Sequence, residues 1–143
     1  MVNELGVISA LIAALSAIYA RYSYSQAKKS NQLVFHSMIK PIFVAFDELS
    51  LHMNSTGKFA DKATVQKFLP YKREAEIYFD KKTNKYLTEY WDACFYMADL
   101  AGHCRSGITN SEQEIKIEEY QKVEKKLVGI IKNRIQEKLT VKL

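Results

Sequence analysis

The chain has 143 residues, a formal net charge of +5 and 48% apolar residues. That length suits one domain of roughly 100–200 residues and excludes a barrel enzyme, which needs about 250. Aromatic residues at 12% allow a buried core, while 5 Gly and 2 Pro are too few turn formers for a many-stranded β fold, so the expectation is an all-α protein.

The first element is set by charge. Sixteen uncharged residues, Leu5 to Ala20 (LGVISALIAALSAIYA), lie between Glu4 and Arg21. As a helix they rise about 24 Å, against a bilayer core of about 30 Å that wants roughly 17–25 residues. Met1, Val2, Tyr22 and Tyr24 extend the stretch, and Arg21 can snorkel. The seven Leu, Ile and Val side chains contribute about −2 to −4 kcal/mol toward insertion, from which Gly6, Ser9 and Ser16 subtract. Tyr19, Tyr22 and Tyr24 stand where an interfacial aromatic belt would lie, and Arg21, Lys28, Lys29 and Lys40 follow. By the positive-inside rule the N-terminus faces out and the rest of the chain is cytoplasmic, which implies a single-pass inner-membrane protein. A cleaved signal peptide is not expected, because only Glu4 is charged before the apolar stretch. The rival reading is a soluble protein whose first helix is core or an oligomer interface.

One face of this helix is small. Gly6, Ser9, Ala10, Ala13, Ser16, Ala17 and Ala20 recur at spacings of three and four, and Ser23, Ala27 and Ser30 continue the pattern. Small residues let helices approach closely in lipid, so self-association or docking on another protein is expected here.

No Gly or Pro interrupts the stretch from Val7 to Lys40, and Leu33, Val34, Phe35, Met38 and Ile39 resume an apolar pattern. Pro41 is expected to kink or restart the helix. Ile42, Phe43, Phe46, Leu49 and Met53 then recur at helical spacing before a breaker at Asn54–Lys58. A short helix is expected from Asp61, its candidate cap, to Leu69, with Pro70 interrupting. Tyr71–Phe79 reads equally as helix or extended connector. Asp80 is the candidate cap of a helix carrying Tyr86, Leu87, Tyr90, Trp91, Cys94, Phe95, Met97, Ala98 and Ala101, expected to end near Gly102. Its wide apolar face places it at the bundle centre. A loop is expected over His103–Asn110.

The last helix opens on Ser111-Glu112-Gln113-Glu114, a capping-box pattern, and carries a stripe of Tyr120, Val123, Leu127, Ile130, Ile131, Ile135 and Leu139. From Lys116 to Leu143 eight Lys or Arg face four Asp or Glu, with acids early and bases late, as the helix dipole prefers. The expected organisation is a membrane-anchor helix with its juxtamembrane segment over residues 1–27, then a small antiparallel bundle of about four helices over residues 28–143.

Chemistry-bearing patterns are sparse. His36, His52 and His103 fall in different elements, and Cys94 and Cys104 have only His103 beside them, short of the four ligands of a zinc site. There is no GxxxxGK[ST], GxGxxG or GxSxG run. Glu74, Glu76 and Asp80 mix with Lys72 and Arg73, as on a solvated face. Bases are interleaved with acids rather than gathered, so nucleic acid is not the expected partner; beside a membrane, Lys28, Lys29 and Lys40 would instead meet anionic lipid. Tyr71, Tyr78 and Tyr90 are candidate exposed aromatics for docking. No catalytic residue, cofactor, metal or small-molecule substrate is expected. A small enzyme or nucleic-acid-binding protein without a recognisable motif is the remaining alternative.

Two runs carry a resemblance. Ala13–Leu33 (AALSAIYARYSYSQAKKSNQL) resembles the N-terminus of many small bacterial and phage proteins of unknown function, in which one membrane helix precedes a cytoplasmic helical domain. Arg73–Trp91 (REAEIYFDKKTNKYLTEYW) is similar to a later segment of such proteins. Together the runs cover about 40 residues. The resemblance implies an anchor, a cytoplasmic helical domain and an accessory role in a mobile-element or phage-related system. It implies no activity, cofactor or catalytic residue.

Overall fold

The structure, a computed structural model, describes residues 2–105 and 111–140, and every regular element among them is helical. Helix α1 spans Val2–Thr56, a 3-10 turn spans Gly57–Phe59, and α2 (Lys62–Gln66), α3 (Leu69–Tyr78), α4 (Lys81–Arg105) and α5 (Ser111–Leu139) follow. The chain divides into two compact units, one ending at Ser37 and the other starting at Met38. The anchor and bundle were expected to meet ten residues earlier, between residues 27 and 28.

In the second unit the last part of α1 buries Ile39, Ile42, Phe46, Leu49 and Met53, one stripe at alternating steps of three and four. Phe46 is its centre. Its ring lies 5.1 Å from Tyr90 of α4 and 6.1 Å, edge-on, from Phe68 just before α3. Leu87, Cys94, Met97 and Ala98 of α4 and Ile117, Leu127, Ile131 and Ile135 of α5 complete the core.

Helices α4 and α5 run antiparallel. Tyr96 stacks on Tyr120, Tyr90 meets Glu124, and the Arg134 guanidinium lies 5.4 Å from the Tyr86 ring centre. As one number falls the other rises, and α4 also packs against α2 and α3, so it is the central helix its wide apolar face predicts. The Trp91 indole N–H donates to the Val65 carbonyl at 3.2 Å and ties α4 to α2.

Several boundaries differ from expectation. Pro41 neither ends nor restarts α1. Proline inside a helix costs about 3 kcal/mol. Each large side chain of the Ile39–Met53 stripe returns roughly 1.5–3 kcal/mol on burial, so packing outweighs the lost hydrogen bond. Pro41 and Ser37 are exposed, so water can take the Ser37 carbonyl that proline leaves without a donor. The breaker acts at Gly57 rather than Asn54: Gly57 alone among the described glycines has positive φ, +55°, and Thr56 Oγ1 bonds back to the His52 carbonyl at 2.7 Å. Pro70 does not interrupt. It lies in the first turn of α3, where a missing N–H costs nothing, and Tyr71–Tyr78 is helical.

Asp61 caps α2, accepting from the Thr64 N–H at 2.9 Å, but that helix ends at Gln66 rather than Leu69. Helix α4 passes Gly102 and includes His103–Arg105; the rest of the expected loop, 106–110, lies outside the described residues. Val123 of the expected α5 stripe is 39% exposed, and Glu124 takes the inward position beside it.

Replacing Pro41 with Ala is expected to stabilise the chain by about 1–3 kcal/mol, since the site is exposed and helical. Urea unfolding followed by circular dichroism checks this.

Candidate functional site

The membrane-face and juxtamembrane residues singled out in the sequence all lie on α1 within the first unit. Gly6, Ser9, Ala10, Ala13, Ser16, Ala17 and Ala20 are exposed, as are Tyr19, Arg21, Tyr22, Tyr24, Lys28 and Lys29. At about 100° per residue, the small residues fill an arc of about 120°, and Leu5, Val7, Ile8, Leu11, Ile12, Leu15 and Ile18 fill the rest. Those seven large side chains are 54–68% exposed. The Leu5–Ala20 part of α1 is therefore not covered by the core of this chain. By length and composition it suffices to cross a membrane, with an 18-residue window of mean hydropathy 1.6, none of it buried. Its polar groups are served locally: Ser9 Oγ donates to the Leu5 carbonyl at 2.8 Å, and Gln26 to the Tyr22 hydroxyl at 3.0 Å.

The docking aromatics fare differently. Tyr90 is fully buried, and Tyr71 and Tyr78 are half-buried against the core, so none of the three is the exposed ring expected. Tyrosine in the middle of a wide apolar face packs its ring inward and needs only a partner for its hydroxyl.

The histidines are not brought together. His52 Nε2 accepts the Asp61 N–H at 3.0 Å, and His103 Nδ1 lies 2.8 Å from the Asp99 carbonyl. Among the described residues no group of three or more His, Cys, Asp or Glu is placed to hold a metal ion.

The second unit contains a feature that sequence reasoning missed. A groove of about 560 Å³ runs between α1 and α5. It extends from the Asp47–Lys132 ion pair (2.7 Å) to Gly57 and Gln121, with Ser50, Met53, Met97 and Glu124 along it. Ten residues of α1 make it about 15 Å long. Glu124 is 7% exposed, and the Tyr90 hydroxyl donates to its Oε1 at 3.4 Å. Ser50 and Cys94 also meet that hydroxyl. Burial raises the Glu124 carboxyl above its ordinary value, with Tyr90 pulling weakly the other way. Burial likewise pushes the Tyr90 hydroxyl and the Cys94 thiol up, so both stay protonated at neutral pH and neither is an activated nucleophile. The sequence signal for Glu124 was its seven-residue spacing from Ile117 and Ile131, both buried.

The surface carboxylates shift the other way. The Thr64 hydroxyl and N–H hold Asp61 below the usual range. The Thr83 hydroxyl does the same for Asp80, and Lys62 for Asp99. Asp61 and Asp80 stand just before α2 and α4, and Asp99 pairs α4 with α2.

Comparisons with protein-family models, with curated proteins and with solved structures find no match.

The Glu124 shift sets a pH dependence. The unfolded chain ionises this carboxyl from about 4.5, while the folded chain resists, so its contribution to stability is full below that value and is lost as pH rises through the higher folded value. Glu124→Gln is expected to raise stability at pH 8 by about 1 kcal/mol or more and to flatten the decline above pH 4.5. Thermal melts of both proteins across pH check this.

Proposed function

We propose that this chain is a non-enzymatic, single-pass membrane protein, its N-terminus outside the inner membrane and its helical bundle in the cytoplasm, serving as a docking or scaffold component. The observation that carries the reading is the exposure of every side chain from Leu5 to Ala20 on an uncharged helix. Water is a poor surrounding for seven large aliphatic residues arranged all round a helix outside the small-residue arc, and lipid is a favourable one. The tyrosines and bases after Ile18 fit the headgroup region of a cytoplasmic leaflet, where each Lys gains about 1 kcal/mol from anionic lipid. A scaffold role, rather than catalysis or nucleic-acid binding, is favoured by the mixed-sign surface and by the protonated, unactivated state of Tyr90 and Cys94.

The partners in this reading are membrane lipid and a second helix, from another copy or another protein, on the face of Gly6, Ala10, Ala13 and Ala17. The resemblance of the two runs noted above supports an accessory role in a mobile-element or phage-related system. The second reading, a soluble oligomer that buries this helix between subunits, is favoured by the same small-residue face.

Fractionation separates the two. The chain is expected in carbonate-washed membranes and released only by detergent; recovery in the soluble fraction overturns the anchor. Protease added to intact spheroplasts is expected to spare the bundle, and digestion would reverse the topology. The double variant Gly6→Leu, Ala13→Leu is expected to weaken self-association in membranes by about 1–2 kcal/mol, read by crosslinking.

A further inference from the structure

In the groove between α1 and α5 the Glu124 carboxyl feels the Lys125 charge but forms no ion pair with it. A carboxylate offers about four acceptor positions. The only hydrogen-bond partner of Glu124 among the described residues is the Tyr90 hydroxyl, at 3.4 Å, long for an O–H···O bond. The four ion pairs of the described residues join Lys62 to Asp99, Lys85 to Glu89, Lys132 to Asp47 and Arg134 to Asp80, and Glu124 enters none of them. The lysine at one end of the groove is thus already held by Asp47. Lys125 lines the groove but makes no ion pair with Glu124. Buried charges are ordinarily matched by a cation.

The surroundings limit the kind of cation. A volume of about 560 Å³ falls in the small-molecule range of roughly 300–1,000 Å³. Met53 and Met97, both buried, give the groove thioether surfaces that adapt to an apolar body. The groove lacks the three-ligand cluster a metal ion would need. Its ends are defined by the Asp47–Lys132 pair and by Gly57 with Gln121, which suits a short guest better than a long peptide.

We propose that this groove binds a small organic ammonium ion, its head on the Glu124 carboxylate and its apolar tail along Met53 and Met97. The site belongs to the second unit alone and does not depend on the membrane reading.

Methionine-methyl NMR of the full chain in a nonionic detergent tests it, with n-butylammonium as probe and n-butanol as its uncharged counterpart. The expected result is a saturable shift of the Met53 and Met97 methyls with n-butylammonium, no comparable shift with n-butanol, and no shift at Met38, which lies outside the groove. Glu124→Gln is expected to weaken binding about tenfold or more, the loss of one charge-assisted contact. Gly129→Leu places a side chain at the groove, where a Cβ meets nothing within 4 Å, and leaves Glu124 in place. It is also expected to weaken binding, and it decides the matter should Glu124→Gln fail to fold. No saturable shift, an equal response to n-butanol, or undiminished binding by either folded variant overturns the proposal.

Discussion

The burial of Ile39, Ile42, Phe46, Leu49 and Met53 in the core shared with α4 and α5 is the interaction on which the other features of the second unit depend. Five large side chains at steps of three and four outweigh the cost of a proline in the same helix. Because that stripe holds, Pro41 lies inside a continuous helix rather than between two. The Phe46 ring then fixes Tyr90 and Phe68, and through them the positions of α4 and of the short helices before it.

The same packing creates the groove. Helix α1 and the turn after it face α5 over residues 47–57, and the Asp47–Lys132 pair and Gln121 bound the space between them. A half-exposed ion pair such as this one contributes little to stability by itself. Its effect is geometric: it commits Lys132 to Asp47, away from Glu124. The cluster of buried Glu124, Tyr90 and Cys94 with half-buried Ser50 is consequently polar and holds no ion pair of its own.

Before Met38 the physics changes. The helix is exposed on all sides from Asn3 to Asn31, and its large and small residues fall on separate arcs. In the bundle, apolar side chains are covered by other parts of the same chain. In the first unit they are covered by nothing belonging to it.

The all-α class, the uncharged Leu5–Ala20 stretch of α1, the central place of α4, the Asp61 cap and the start of α5 at Ser111 were legible in the residues alone. Each follows from local chemistry: helical spacing, one charge boundary at Glu4 and Arg21, and side chains that satisfy nearby backbone groups. The path through Pro41 and the helicity of Tyr71–Tyr78 came only with the folded chain, because both depend on what packs against them. Packing moved Tyr90 from the surface to the centre and set Glu124 in a groove. A glutamate between Val123 and Lys125 reads as surface until the partners of Ile117 and Ile131 are known, and it is their burial against α1 and α4 that turns it inward.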